Sequence, residues 1–242
     1  RRSSDLGWNK ARIYDLGRGV EYESHYFESL IDPRDGQEYR TITIGDQVWM
    51  ADNLRAVVLN DGTPISHVKK SEIWETTEAP AYCWYENASG LKKSQMGALY
   101  NWFAVNTGKL CPLGWHVPSP DEWAALKFFL GDSIDWIETA DTSYYATEHA
   151  AEKMMVPGTW TESEEVEITP TNESGFSALP AGARTIYGIF HGLYTNASFW
   201  TSSEDSYDPG NGKSSEIYYD FGGLIDIQQY KQFGMSVRCI RD

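Results

Sequence analysis

The sequence lacks the features that most directly announce a function. It has no run approaching the roughly 18 apolar residues of a transmembrane helix. It contains no G-x-S-x-G elbow, no H-E-x-x-H pair and no glycine-rich phosphate loop, so the commonest hydrolase, zinc-protease and nucleotide-binding signatures are excluded. Basic residues number only 20 against 35 acidic ones, for a formal charge of −15. A chain this acidic repels phosphates, so neither nucleic acid nor an anionic membrane is expected as a partner.

Cysteine and histidine are also scarce. The three cysteines lie too far apart for a zinc or redox pair, so either two of them form a long-range disulfide or all are buried thiols. None of the five histidines has a second ligand at metal spacing, and we predict no metal and no cofactor. His116 is expected to be partly buried and hydrogen-bonded to the backbone. The acidic cluster at 162–167 lacks a calcium-loop pattern and is interpreted as solvated surface, as is the Glu148 and Glu152 pair.

Aromatic residues, in contrast, are abundant: 10 Trp, 15 Tyr and 9 Phe. In the C-terminal half, tyrosines alternate with small polar residues, a composition typical of adaptable recognition surfaces and also suited to sugar rings. The alternative is an aromatic sheet core, to which we assign Phe199, Trp200, Phe221 and Phe233. The predicted ligand-binding residues are Tyr194, Asn196, Tyr207, Asp208, Asn211, Tyr218, Asp226, Gln228 and Tyr230.

The order of predicted elements indicates an α+β domain with helices early and short strands late. Turn signals predict a hairpin over 35–52. One helix is predicted from the Ser94 cap to about Val105, and a second after the capping box at Ser119. A weaker helix is predicted over 143–155, and the predicted late strands are 183–189, 199–202, 216–221, 224–227 and 234–240. In residues 1–30 the aromatic and apolar residues are scattered without a clear period. This segment is predicted to form an arm or the end of a preceding module, with the main domain at 31–242.

The later motifs of the sequence occur in a fixed order over about Ile31 to Asp242. They are Gly45–Leu54, Tyr82–Tyr85, Gly97–Trp102, Gly108–Pro118, Glu122-Trp123, Asn172–Phe176, Ala178–Pro180, Trp200–Glu204 and Ser236–Cys239. This ordered series resembles the Fibrobacter succinogenes major paralogous domain, a family found on exported proteins and lipoproteins of Bacteroidetes, and the shared order makes the resemblance specific.

The resemblance implies a C-type lectin-like fold of small twisted antiparallel sheets, two or three helices and a loop-rich face. It implies a Cys111–Cys239 disulfide with Cys83 free. The family is similar to formylglycine-generating enzymes, but only Cys239 stands where those enzymes use a cysteine pair, so oxidase activity is not expected. It is also similar to variable proteins of diversity-generating retroelements, whose variable window would correspond to residues 206–231. Calcium-dependent sugar motifs of animal lectins do not occur.

We therefore predict a non-catalytic domain at the cell surface, lipid-anchored in the full-length protein, that binds a glycan or a host or bacterial surface protein. Two other interpretations stay open. The first is a structural tip or assembly module of a larger surface protein, whose N-terminal arm binds the partner. The second is a degenerate enzyme, or one of unknown chemistry, on the formylglycine-generating scaffold.

Overall fold

The computed structural model describes residues 10–15, 20–87, 95–131, 135–138, 143–146 and 149–242. This part of the chain is rich in sheet and has three short α-helices, which agrees with the predicted α+β class. The helices are α1 (Ser71–Trp74), α2 (Trp102–Val105) and α3 (Pro120–Phe129). No helix in these ranges is long and apolar enough to cross a bilayer.

The strands form four sheets that are mostly antiparallel. The two-stranded sheet contains β1 (Lys10–Asp15) and β2 (Val20–His25). The five-stranded sheet has the order β3-β4-β5-β17-β9, with β3 (Glu28–Ile31), β4 (Glu38–Ile44), β5 (Gln47–Met50), β17 (Ile240–Arg241) and β9 (Trp115–His116). The three-stranded sheet contains β6 (Ser66–His67), β7 (Ala81–Cys83) and β8 (Leu99–Tyr100).

The seven-stranded sheet carries most of the residues predicted to bind a ligand. Its order is β10-β11-β16-β15-β14-β12-β13, and only the β12–β14 pair is parallel. The strands are β10 (Asp135–Glu138), β11 (Ser143–Ala146), β12 (Ala181–Arg184), β13 (Phe190–Leu193), β14 (Asn196–Glu204), β15 (Asn211–Tyr218) and β16 (Phe221–Tyr230).

The predicted hairpin and the capped helix are both confirmed. Strands β4 and β5 pair from Thr41–Met50 to Ile44–Gln47. Ser119 caps α3 through the Glu122 backbone N–H, and the Glu122 side chain accepts from the Ser119 backbone in return. Local chemistry alone decides both elements, because turn residues and a capping box need no distant partner.

The predicted helix from Ser94 to Val105 is wrong over most of its length. Gly97 has a φ of 81°, which a right-handed helix does not allow, and Leu99 and Tyr100 form a strand. The helix begins only after Asn101, whose side chain accepts from the Ala104 N–H at 3.1 Å. Ser94 lies outside the described residues.

The weak helix predicted over 143–155 is also wrong. Residues Ser143–Ala146 form β11, which pairs with β10 and β16, and the chain from 149 to 154 makes turns. Two consecutive tyrosines in this strand suit a pleated surface better than a helix.

The late strands exist, but their predicted bounds need correction. Of the predicted strand 183–189, only residues 183 and 184 are in a strand, β12, and the rest is the turn that leads to β13, in which Gly188 has a φ of 74°. Strands β14, β15 and β16 are longer than predicted, whereas of 234–240 only the last residue is in a strand. The segment before it makes single bridges to residues of three different elements.

Two large apolar clusters hold the sheets together. One contains Trp49, Trp123 and Phe199 between α3 and the inner face of the seven-stranded sheet. The other contains Trp84, Trp102 and Trp200, on the side where α2 packs.

Strand β3 spans residue 30, at which we predict the arm to end, and it pairs with β4.

Candidate functional site

Three of the sequence motifs meet at the buried guanidinium of Arg238. Its Nε donates to Asn53 Oδ1 at 2.9 Å, and its Nη2 donates to the Ser177 carbonyl at 2.6 Å. Its Cζ lies 4.4 Å from the centre of the Phe176 ring. A buried cation needs this many partners, so the first, middle and last motifs have to converge in space.

The tryptophans inside the motifs belong to the core, as predicted. Trp49 and Trp123 have ring centres 5.0 Å apart, and Trp200 donates its indole N–H to the Tyr100 carbonyl at 2.8 Å. Five of the six are buried, and Trp115 is half-buried. The five buried rings hold the fold and are not available to a ligand.

The disulfide implied by the family resemblance is present. Cys111 and Cys239 are bonded with their Cα atoms 6.0 Å apart, across a sequence separation of 128 residues. Cys239 also holds β5, because its carbonyl accepts from the Met50 N–H at 2.9 Å. The remaining cysteine, Cys83, is free and buried.

The seven-stranded sheet divides the predicted ligand residues into two groups at its opposite ends. Tyr194, Asn196 and Tyr218 lie at one end, which we call the Tyr194 end. Tyr207, Asp208, Asn211 and Tyr230 lie at the other, which we call the Tyr207 end. Seven steps of roughly 3.3 Å along β15 separate the two ends by about 23 Å. One small ligand therefore cannot contact both groups.

The Tyr207 end is an exposed loop held by carboxylates. The buried Asp205 carboxylate accepts from the backbone N–H groups of Tyr207 at 3.4 Å and Asp208 at 3.3 Å. Asp208 in turn accepts from the Gly210 N–H at 2.9 Å and from the Asn211 side chain at 3.2 Å. The Tyr207 side chain is 94% exposed. The loop thus holds its backbone fixed while presenting an aromatic ring to solvent.

The end of β16 completes the Tyr207 end. Tyr230 lies opposite Asn211 in the register and is 54% exposed. The next residue, Lys231, pairs with Glu204, and its ammonium lies 4.7 Å from the centre of the Trp102 ring. Its backbone N–H donates to the Gly210 carbonyl at 3.1 Å, so the loop and the strand end are tied together.

Two other predicted residues lie along β16. Gln228 is exposed and faces Lys213 across the register. The Asp226 carboxylate already has partners within the protein, because it pairs with the buried ammonium of Lys127 and accepts from Ser215 Oγ at 2.8 Å. Burial lowers the pKa of Lys127, and the charge of Asp226 opposes that shift. This pair fixes α3 to the sheet.

The Tyr194 end contains a buried carboxylate that the sequence analysis missed. Glu216 accepts hydrogen bonds from Ser198 Oγ at 3.0 Å, Ser214 Oγ at 3.2 Å and Tyr218 Oη at 2.6 Å. Gln229 Nε2 lies 3.4 Å away as a fourth donor, and no cation among the described residues pairs with this carboxylate. Its signal in the sequence is the alternation Ser214, Glu216, Tyr218 on one strand face.

Burial governs what the predicted residues of the Tyr194 end can contact. Burial and the charge of Glu216 both raise the pKa of Tyr218 well above its ordinary value. Asn196 is buried and donates to Ser198 Oγ at 3.0 Å. Only Tyr194, which is 42% exposed, presents much surface at this end.

A comparison with protein families matches residues 42–241, more than four fifths of the chain, to the family described as Fibrobacter succinogenes major domain. The chain belongs to this family. No curated protein and no solved structure matches it. The matched range contains the motifs that converge on Arg238 and both ends of the seven-stranded sheet.

His116 of this Fibrobacter succinogenes major domain differs from its predicted role. It bonds two carboxylates and not the backbone: Nε2 lies 2.8 Å from Glu122 Oε1, and Nδ1 lies 2.6 Å from Asp242 Oδ1. Burial opposes protonation, but these hydrogen bonds outweigh it and raise the pKa of His116 above its ordinary 6.5. The reason for the error is that Asp242, distant in sequence, reaches His116 through the pairing of β17 with β9.

Neither the free cysteine nor a cluster of metal-ligating side chains provides a reactive centre in the part of the chain that the structure describes. Burial raises the pKa of the Cys83 thiol to about 12, so it is held as an unreactive thiol. No group of three or more metal-ligating side chains comes together within the described residues. Glu148, which the sequence predicted to form a solvated pair of carboxylates with Glu152, lies outside the described residues.

Proposed function

We propose that this domain is a non-catalytic binding module at the cell surface, and that the Tyr207 end contacts its partner, a glycan or a surface protein. The observation that carries the proposal is the 94% exposure of Tyr207 on a loop whose backbone is fixed by Asp205 and Asp208. A rigid aromatic side chain gives contact area at low entropic cost. Tyr230, which is 54% exposed, extends the same surface.

The shape of this surface favours a large partner. The Tyr207 end is convex, because it is the tip of the β14–β15 hairpin, whereas small-molecule sites are concave. A chain of sugars or the surface of a protein can lie across exposed tyrosines and side-chain amides. Gln228 and Lys213, two register pairs further along the same strands, are the next groups that such a partner would contact.

A C-type lectin-like fold and export to the cell surface belong to the same proposal. Support for the fold comes from β17, near the C-terminus, which pairs with β5 near the start of the matched range. Support for export comes from the Cys111–Cys239 disulfide, since such bonds persist in oxidising compartments. Lipid anchoring of the full-length protein follows from the family resemblance alone.

The experiment is a screen of a glycan array and a panel of purified extracellular-matrix proteins. Wild type and Tyr207→Ala/Tyr230→Ala are compared, with Tyr26→Ala/Tyr187→Ala as a control that removes two other exposed tyrosines. We expect at least one ligand whose affinity falls at least tenfold in the first variant and is unchanged in the control. Equal binding by all three proteins, or no ligand at all, would contradict the proposal.

A second candidate, an assembly module, has one observation in its favour. Strands β1 and β2 form a sheet of their own and pair with no other described strand, which leaves two strand edges to pair with another chain. Because β3 belongs to the body, the test is deletion of residues 1–25. Loss of complex formation with an unchanged unfolding midpoint would support assembly, and an intact complex would reject it.

A further inference from the structure

A cavity of about 340 Å³ opens beside the Tyr194 end, away from the surface proposed to bind the partner. It lies between the loop from Met155 to Pro170 and Tyr219. Its volume is that of a small-molecule site. The loop carries the acidic cluster at 162–167, which the sequence predicted to be solvated surface. Both ends of the sheet thus carry features of a binding surface, one convex and one concave.

One wall of the cavity is aromatic and held in place. Trp160 is only 9% exposed, and its indole N–H donates to the Ala178 carbonyl at 3.3 Å. Tyr219 is fixed through its backbone N–H, which donates to the Thr195 carbonyl at 2.8 Å. Ile168 also lines this wall and packs with Tyr219 against the apolar core. A ligand therefore meets a preformed apolar surface.

The rest of the lining is rich in hydrogen-bond acceptors. Three residues with aliphatic hydroxyls and two with carboxylates line the cavity: Thr161, Ser163, Thr169, Glu162 and Glu167. The described lining includes no basic side chain. Ser163 Oγ accepts from the backbone N–H groups of Glu165 at 3.3 Å and Val166 at 3.1 Å, which folds the loop into a turn. The complement of this lining is a ligand with several donors and a positive charge.

The loop is anchored at a strained residue. The Thr161 N–H donates to the Tyr194 carbonyl at 2.8 Å, and Tyr194 has a φ of 68°. A bulky residue in the left-handed region costs free energy and persists only where the surrounding structure imposes it. The loop that lines the cavity is therefore joined to the turn between β13 and β14.

We propose that this cavity binds an amino sugar, a pyranose ring that carries a free ammonium group. The apolar face of the ring packs against Trp160 and Tyr219, and Glu162 and Glu167 accept from the ammonium. The hydroxyl residues exchange hydrogen bonds with the ring hydroxyls. A simple alkyl amine satisfies the carboxylates but leaves the hydroxyl lining unused, so the sugar is the better complement.

The probes are D-glucosamine, D-glucose, N-acetyl-D-glucosamine and cyclohexylamine, titrated at constant ionic strength with calorimetry and with NMR of the Trp160 indole N–H. We expect saturable millimolar binding of glucosamine, at least tenfold tighter than that of each other probe. The absence of saturation up to about 50 mM glucosamine, or equal binding of any other probe, would overturn the proposal.

Two charge-matched variants separate this site from general attraction to an acidic protein. Glu162→Gln/Glu167→Gln is expected to weaken glucosamine binding at least tenfold, whereas Glu164→Gln/Glu165→Gln is expected to bind as wild type does. Equal effects of both variants would overturn the proposal. Tyr207→Ala/Tyr230→Ala should bind glucosamine normally, so this site and the Tyr207 end succeed or fail independently.

Discussion

At the scale of single residues, the most informative side chain is the Glu216 carboxylate. It is 2% exposed, and neutral donors alone stabilise it. A buried carboxylate of this kind depends on each donor pointing at it, because no opposite charge compensates for lost solvation. It sets the orientation of Tyr218 and joins β14, β15 and β16 on one face of the sheet.

We predict that Glu216→Gln lowers the free energy of unfolding by about 2–3 kcal/mol. The amide that replaces one acceptor oxygen is itself a donor, and it faces hydroxyl and amide donors that then lose their acceptor. Denaturant unfolding measures the change, and the exposed Glu78→Gln serves as the control. A loss below about 0.5 kcal/mol would show that the hydroxyls rearrange freely.

His116 gives a prediction about pH. Its pKa is raised in the folded state, so the protonated form adds stability below pH 6.5, and this contribution is lost as pH rises through the higher folded value. The difference in unfolding free energy between wild type and His116→Gln should therefore be largest near pH 6 and smallest near pH 9. Because the site is partly exposed, we expect this difference to change by less than about 1 kcal/mol between the two pH values. A difference that grows with pH would contradict the assigned ion pairs.

Residue identity alone predicted some of these roles and not others. The buried tryptophans were predicted because they lie in motifs that are visible in the sequence, whereas the disulfide was predicted only through the family resemblance that those motifs carry. Asn196 and Asp226 were predicted to bind a ligand because they are polar. In the structure Asn196 donates to Ser198, and Asp226 pairs with Lys127. Glu216 was missed because its four donors are brought together by strand register, which composition does not reveal.

At the scale of elements, β15 packs unusually closely against α2. A Cβ built on Gly212 would lie 2.3 Å from Trp102 Cδ1, so only glycine fits between this strand and the indole. The same indole stacks under the ammonium of Lys231, beside the Tyr207 end. The packing of α2 therefore determines where the end of β16 lies.

We expect Gly212→Ala to destabilise the fold by about 1–3 kcal/mol, because the methyl group forces Trp102 or the strand to move. Gly210→Ala is the matched control, since its Cβ would meet only the end of the Asp208 side chain, at 3.1 Å. Thermal unfolding of both variants measures the effect. A Gly212→Ala protein as stable as the control would mean that the indole shifts without cost.

Elements were predictable where their signals are local. The β4–β5 hairpin and the capping box of α3 are local in this sense, and both are confirmed. The helices predicted over 94–105 and 143–155 failed because apolar spacing does not distinguish a short helix from a buried strand. Gly97 was the available signal against the helix over 94–105. The two consecutive tyrosines of β11 were the signal against the helix over 143–155.

At the scale of the whole molecule, one covalent bond closes a loop that contains most of the domain. The Cys111–Cys239 bond joins residues 128 positions apart, so reduction restores a large chain entropy to the unfolded state. The same bond holds β17 and β9 in the sheet that contains the start of the matched range. A high net negative charge makes this restraint useful, because self-repulsion opposes the compact state.

Removal of the bond by Cys111→Ser/Cys239→Ser should cost about 2–5 kcal/mol in denaturant unfolding. In the wild type, we expect no thiol to react with a thiol reagent while the protein is folded, one to react in denaturant, and three to react after reduction as well. Cys83→Ala should abolish the single denatured-state thiol. Three reactive thiols without reduction would contradict the bond.

The most direct test of the central claim is hydroxyl-radical footprinting of the domain with and without the ligand found in the screen. We expect protection from oxidation at Tyr207 and Tyr230, and no change at Tyr194 or at the control residue Tyr187. Protection at Tyr194 with Tyr207 equally oxidised in both states would place recognition at the opposite end of the sheet and rule out the Tyr207 end as the binding surface.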